Sequence, residues 1–332
     1  MNRLSLSALM MTCATPLLAE VPQVAVDIAP VHSLVAQLMA GVGEPDLIVR
    51  PGASPHGYAL RPSEARAVQQ ADLVVWMGEE LTPWLEKPLS SLSGDARHIA
   101  LLEQPATARL GYRDLAHDDH EDHDDHDDHK EHADHETQGD KGHDDHAQAA
   151  HDDHDGDHDH SGTDPHAWLD PGNASVWLSL LAEELAGLDP DHADRYRANA
   201  AEAQARLAEL TVQIAAELQP MQGKPFIAFH DAYQYFERPF GLTLAGTVSL
   251  GDASSPSPAR LAHLREEVVE EGVTCAFSEP QYNTALIETA VEGTGAAIFV
   301  LDPLGAGLEP GPELYPQVLR DMAASFAACA AR

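Results

Sequence analysis

Short apolar runs alternate with helical patterns along most of this chain. VAVDI (24–28), DLIV (46–49), ADLVVWM (71–77) and HIALL (98–102) have the length and composition of strands buried on both faces. Between them, PVHSLVAQLMAG (30–41) opens on Pro and closes on Gly, as helices do, and PSEARAVQQ (62–70) is a second helix with Ser63 as its expected N-cap. The second half repeats the arrangement. PFIAF (225–229), LTLAGTV (242–248), VTCAF (273–277) and AAIFVL (296–301) are strand candidates. SPARLAHLREEVVEEG (257–272), QYNTALIETAVEG (281–293) and LYPQVLRDMAASFAACAA (314–331) are helices. Strands alternating with helices predict an α/β fold of two lobes, each with a four-stranded, mainly parallel sheet flanked by helices.

One long helix should join the lobes. In 189–218 Asp189 can cap, Pro190 suits the first helical position, and Leu207, Leu210, Ile214 and Leu218 share one face. Some 28 residues at about 1.5 Å each make a rod of about 42 Å. A rod of that kind limits how far two lobes can hinge. The expected organisation is a signal peptide (1–19), an N-terminal lobe (20–188), a linking helix (189–220) and a C-terminal lobe (221–332).

The pattern fails between His117 and His160. That stretch has four alanines as its only apolar residues, so it cannot bury enough surface to offset chain entropy. It is expected to be a disordered insertion in the first lobe. It holds thirteen histidines, each a potential ligand for a weak, exchanging site: His117, His120, His123, His126, His129, His132, His135, His143, His146, His151, His154, His158 and His160. Its nineteen acids against two lysines give −17 of the total formal charge of −36. The remaining −19 is still acidic, which excludes nucleic acid and anionic lipid as natural partners and favours small cations.

At the N-terminus, Arg3 precedes an apolar stretch that ends at Leu17-Leu18-Ala19, too short for a stable membrane anchor. It is expected to be a secretory signal peptide cleaved after Ala19. Cys13 raises lipidation as an alternative, against which Met11 and Thr12 argue. The exported chain would keep two cysteines, Cys275 and Cys329. They read as one disulfide, with two free buried thiols as the alternative. A cysteine metal site is not expected, because neither has a ligand neighbour at short spacing.

Seven histidines lie outside the insertion. His56 follows the 46–49 strand in GASPHGYALRPS, His230 directly follows PFIAF, and His166 sits in DPHAWLDP. Asp302, in LDPLG, ends the last strand. Loops beyond strand C-termini are where ligands bind in open α/β sheets. Imidazoles with a carboxylate or water suit Zn²⁺. Single loop histidines are commonly just surface or hydrogen-bonded residues, so spacing alone leaves this reading and the metal reading level. His32, His98, His192 and His263 are expected to be structural, and Trp76, Trp84, Trp168 and Trp177 to serve the core.

GASPHGYALRPSEARAVQQADLVVWMG, TDPHAWLDPGNA, PFIAFHDAYQYFE, CAFSEPQYN and LDPLG together resemble the periplasmic zinc-binding subunits of bacterial ABC importers, the ZnuA-like, cluster A-I metal-binding family. The resemblance runs in order from about Val21 to Cys329, broken only by the insertion. It implies two α/β lobes joined by a rigid helix, with the metal in the cleft between them. It maps three zinc ligands onto His56, His166 and His230, and its cysteine pair onto Cys275 and Cys329. Asp302 or water would complete the shell, since Pro55 removes the Glu that some zinc members have there. A histidine at 230, where manganese carriers have a carboxylate, favours zinc. The implied role is capture of Zn²⁺ as cargo for a membrane permease. A periplasmic zinc metallochaperone is an optional further partner, and a monomer is expected. The insertion would acquire or sense zinc. A zinc hydrolase would share the three histidines, but the chain has no HExxH and no evident general base beside the ligands. A periplasmic zinc buffer without a transporter is the third reading.

Overall fold

A computed structural model of the protein describes residues 21–113, 162–249 and 256–332. The signal segment and all thirteen insertion histidines lie outside the described residues. Among the described residues, eight strands form two sheets. In the first lobe come β1 (Val24–Val26), α1 (Ala29–Leu38), β2 (Asp46–Leu47), α2 (Pro62–Gln70), β3 (Leu73–Trp76), α3 (Pro83–Leu92), β4 (Arg97–Ala100) and α4 (Pro171–Leu188). The long helix α5 spans Ala193–Glu217. The second lobe has β5 (Pro225–Ala228), α6 (Gln234–Phe240), β6 (Thr243–Thr247), α7 (Pro258–Glu270), β7 (Cys275–Ser278), α8 (Thr284–Val291), β8 (Ala297–Val300) and α9 (Leu314–Ala330). The sheets have orders β2-β1-β3-β4 and β6-β5-β7-β8, and every pairing is parallel.

The two sheets match in register as well as order. Val49 N donates to Asp27 O just past β1, and Ser249 N donates to Phe229 O just past β5. Val26 pairs with Val75, as Ala228 pairs with Phe277. Ile28 and Met77 of the first sheet therefore occupy the places that His230 and Glu279 hold in the second. In each sheet the chain reverses winding direction between its two central strands, which leaves a crevice at their C-terminal ends.

Three α-helices of the described residues, α3, α4 and α6, are not among those expected from the sequence, and all contain proline, a residue that disfavours helix interiors. In α4 the Pro stands at the first helical position after Asp170, whose side chain accepts from Gly172 N at 2.7 Å. Pro88 and Pro239 lie inside α3 and α6, and Gly241 ends α6 in the left-handed region at φ 68°. Two expected helix starts also move. The N-cap of α2 is Arg61 rather than Ser63: Pro62 takes the first position, and Glu64 Oε2 accepts from Arg61 N at 2.7 Å. The long helix begins at Ala193, after a 3₁₀ turn over Pro190–His192. Asp189 stays buried and binds His192 Nδ1 at 2.7 Å and Tyr196 OH at 2.9 Å. That leaves a rod of 25 residues, about 37 Å long.

Tyr196, Ala200, Ala203, Leu207, Leu210 and Ile214 form the buried stripe of α5. It packs on α4, α1 and α9, and one apolar cluster runs without a break from Val24 and Val26 to Phe226, Phe277 and Phe326. The lobes thus share a core. Polar bonds cross the same boundary: Ser33 Oγ donates to Pro312 O and accepts from Tyr315 N, while Tyr315 OH donates to Trp168 O. Cys275, at the start of β7, and Cys329, near the end of α9, form a disulfide.

Asp27 is a fully buried carboxyl at the first crevice. It accepts from Ile28 N at 2.8 Å and Met77 N at 2.7 Å, yet burial pushes its pKa up to about 7. Between about pH 4 and about pH 7 the unfolded chain has lost this proton and the native chain keeps it, so stability falls as pH rises through that window. Asp27→Asn should remove about 2–3 kcal/mol of the stability difference between about pH 5 and about pH 8. Urea titrations of both proteins at the two pH values measure it; equal differences would mean that Asp27 ionises normally.

Candidate metal centre

His56, His166 and His230 come from three separate segments and meet. One ring nitrogen of each lies within 4.8 Å of the other two, and among the described residues this is the one group of its kind. The ring centroids are 5.2 to 6.1 Å apart. A tetrahedral ion with bonds of about 2.1 Å holds its ligands about 3.4 Å apart, so a small inward shift closes the three around one cation.

The two buried histidines are oriented by carboxylates. His166 Nδ1 lies 2.7 Å from Asp164 Oδ1, which also accepts from His166 N at 2.9 Å. His230 Nδ1 lies 2.7 Å from Glu279 Oε1. A carboxylate can only accept, so each Nδ1 carries the proton and each Nε2 presents its lone pair. His166, His230, Asp164 and Glu279 are all 3 % exposed or less. Glu279 follows β7 as His230 follows β5, and these strands are neighbours in the sheet. Burial and the Glu279 charge raise the pKa of the Tyr233 hydroxyl well above its ordinary value, so it stays protonated beside the site.

His56 is held differently. It lies, half-buried, on the long and partly exposed loop between β2 and α2. Trp84 Nε1 donates to Pro55 O at 2.6 Å, and Tyr58 OH donates to Glu64 Oε1 at 2.7 Å while accepting from Arg50 Nε at 3.0 Å. The Tyr58 and Trp84 rings sit 5.5 Å apart. These bonds fix the residues on both sides of the histidine.

Asp302 does not join the group. Its Oδ1 accepts from Leu304 N at 3.3 Å and faces Gln281 Nε2 at 3.5 Å. The carboxylate on the cavity wall is Glu279, alongside Gln281, Tyr282, Pro303 and Leu304. Sequence reading gave no role to Asp164 or Glu279. The D-x-H spacing of TDPH was a usable signal for Asp164; Glu279 needed the strand order. Trp168 is core as expected, and it also lines the cavity, with its ring 5.3 Å from His166 and its Nε1 donating to Pro303 O. The other histidines lie outside the group: His32 Nε2 binds Pro45 O, His98 Nε2 binds Ser93 Oγ, His192 binds Asp189, and His263 faces Glu267.

A site with three convergent imidazoles is what a small soft-to-borderline cation requires. Residues 24–329 match the model of the ZnuA family, described as zinc-uptake complex component A, periplasmic. The chain belongs to this family. It is a family of uptake components, not of enzymes. A relative from Paracoccus denitrificans, the high-affinity zinc uptake system protein ZnuA, is 48 % identical over 332 residues, covering 99 % of this chain and 98 % of its own. Among solved structures, a crystal structure of ZnuA superposes with a TM-score of 0.71 at 23 % identity, over 94 % of this chain and all of that one. The Pseudomonas aeruginosa solute-binding protein FpvC in complex with Mn²⁺ reaches 0.73 at 19 %, over 94 % and 99 %. Among the described residues no helix is long and apolar enough to cross a membrane.

Trp84→Phe would keep an aromatic ring beside Tyr58 but remove the bond to Pro55 O. The expected cost is about 1 kcal/mol, with faster amide exchange in residues 50–61 and unchanged protection in β1 and β3. Exchange mass spectrometry reads this directly; uniform protection throughout would show that the bond does not order the loop.

Proposed function

We propose that the protein captures Zn²⁺ in the periplasm and delivers it to the membrane permease of an ABC zinc importer, with His56, His166 and His230 as the ligands. The observation that carries this reading is the convergence of three imidazoles, two of them held in one tautomer by buried carboxylates. An ion that accepts nitrogen ligands and tolerates a fourth open position fits that set. The fold alone does not choose the metal, since FpvC has the same fold with Mn²⁺. The ligands choose it. Manganese prefers an oxygen-richer shell than three imidazoles provide.

Water takes the fourth position in this reading, because Asp302 is not among the groups whose ligand atoms converge within 4.8 Å. Asp302 then shapes the cavity wall through Leu304. Zn²⁺ is cargo. His166 enters from the first lobe's last segment and His230 from the second lobe's sheet, so loading draws two shared-core lobes together by a small amount. Release needs the reverse movement. The chain works as a monomer, since the three imidazoles come from one copy. The insertion, outside the described residues, acts as an auxiliary zinc collector or sensor, and a periplasmic metallochaperone is a candidate donor to it.

Zinc titration against a competing chelator tests the reading. The mature chain should show one tight site plus weak ones. Deleting residues 117–160 should remove only the weak ones, and His56→Ala, His166→Ala or His230→Ala should each abolish the tight one. Loss of tight binding on deleting the insertion would sink the assignment. Asp164→Asn and Glu279→Gln, which remove the carboxylate charge that fixes each imidazole while leaving the three histidines unchanged, should weaken tight binding about 10–100-fold.

A further inference from the structure

The described residues that flank positions 114–161 lie close to His166 and are tied to the second lobe. Gly111 pairs with Thr163 in an antiparallel bridge, Tyr112 N donates to Gly162 O, and Asp164 N donates to Leu110 O. From the second lobe, Tyr235 OH accepts from Leu110 N and donates to Asp164 O, and Gln234 Nε2 reaches Asp164 Oδ2 at 3.0 Å. Asp164 is the residue that orients His166.

Arg113 completes this tie. Its Nε lies 3.0 and 2.9 Å from the two oxygens of Asp231, and its Nη2 lies 2.6 Å from Asp231 Oδ1. The same guanidinium reaches both oxygens of Glu237, at 3.0 Å from Nη1 and 2.5 Å from Nη2. Asp231 directly follows His230, and Glu237 lies on α6. The Arg113, Asp231 and Glu237 side chains are 26 %, 15 % and 7 % exposed, so solvent screens the charges only partly. Without the guanidinium, two carboxylates would face each other beside His230.

We infer that Arg113 is a positioning residue, a clasp between the lobes that holds His166 and His230 at ligand spacing and sets how long a captured cation stays bound. The inference rests on the three-histidine reading. The clasp spans the same gap as the His166–His230 pair, so any lobe movement that separates these ligands must stretch five charge-assisted contacts. A planar fork is required: a lysine supplies the charge but cannot bind two carboxylates along their edges.

The test is the rate at which zinc leaves the fully loaded, full-length chain into excess chelator, read from the slow phase. Arg113→Gln should speed that phase about tenfold or more, the scale on which outer-shell partners tune metal sites. Arg113→Lys should leave it clearly faster than wild type, because charge alone does not restore the fork. The melting temperature of the metal-free proteins is measured alongside. A lower melting temperature with a slow phase within about twofold of wild type in both variants would make Arg113 structural only and overturn the inference. If Arg113→Gln fails to fold, Glu237→Gln, which keeps the Asp231 fork, decides: a faster slow phase supports the clasp and an unchanged one rejects it. His166→Ala is the control for the underlying reading. A slow phase that survives in that variant means tight zinc sits elsewhere, and both the site and the clasp fall.

Discussion

The unbroken apolar core is the constraint on which the rest depends. Two separately packed lobes would leave their strand ends free to drift relative to each other. Here the inner faces of both sheets bury against α1, α4, α5 and α9 in one cluster. Moving these faces apart would expose apolar surface at about 25 cal/mol per Å², which opposes wide opening of the lobes. The three imidazole nitrogens, within 4.8 Å of one another, would need only a modest shift to close on an ion.

The histidine cluster draws unequally on two sheets of the same layout. The sheets share strand order and register, yet the first spends its central crevice on Asp27, Ile28 and Met77, while the second places His230 and Glu279 at the corresponding ends. The first lobe supplies its histidines from loops instead: His56 on the long connection after β2, and His166 on the segment that leads into α4. Two of the three imidazoles are buried and locked by carboxylates, whereas the third sits on a loop fixed from both sides by Trp84 and Tyr58.

Much of this was legible in the sequence for plain reasons. All eight strands were visible as short apolar runs, although only the central ones, β1, β3, β5 and β7, are buried on both faces while the edge strands are partly exposed, and the α5 stripe was visible because its buried residues repeat at helical spacing. His56, His166 and His230 could be singled out because each sits in a loop after a strand or between prolines, and the resemblance gave them a role. The helices α3, α4 and α6 were not legible, since their prolines signal a break wherever packing does not override it.

What the sequence determined by itself was the local structure, the α/β class and the supply of ligand side chains, all of which depend on neighbours within a few residues. What only the tertiary structure decided was which groups meet. Glu279 stands 49 residues from His230 and Asp231 stands 118 from Arg113. Contacts at such separation depend on strand order and on how the two sheets are held, and nothing in local spacing encodes either. The same holds for Asp302: its place at a strand end suggested a ligand, but its engagement with Leu304 N and its neighbour Gln281 is set by how the chain turns after β8.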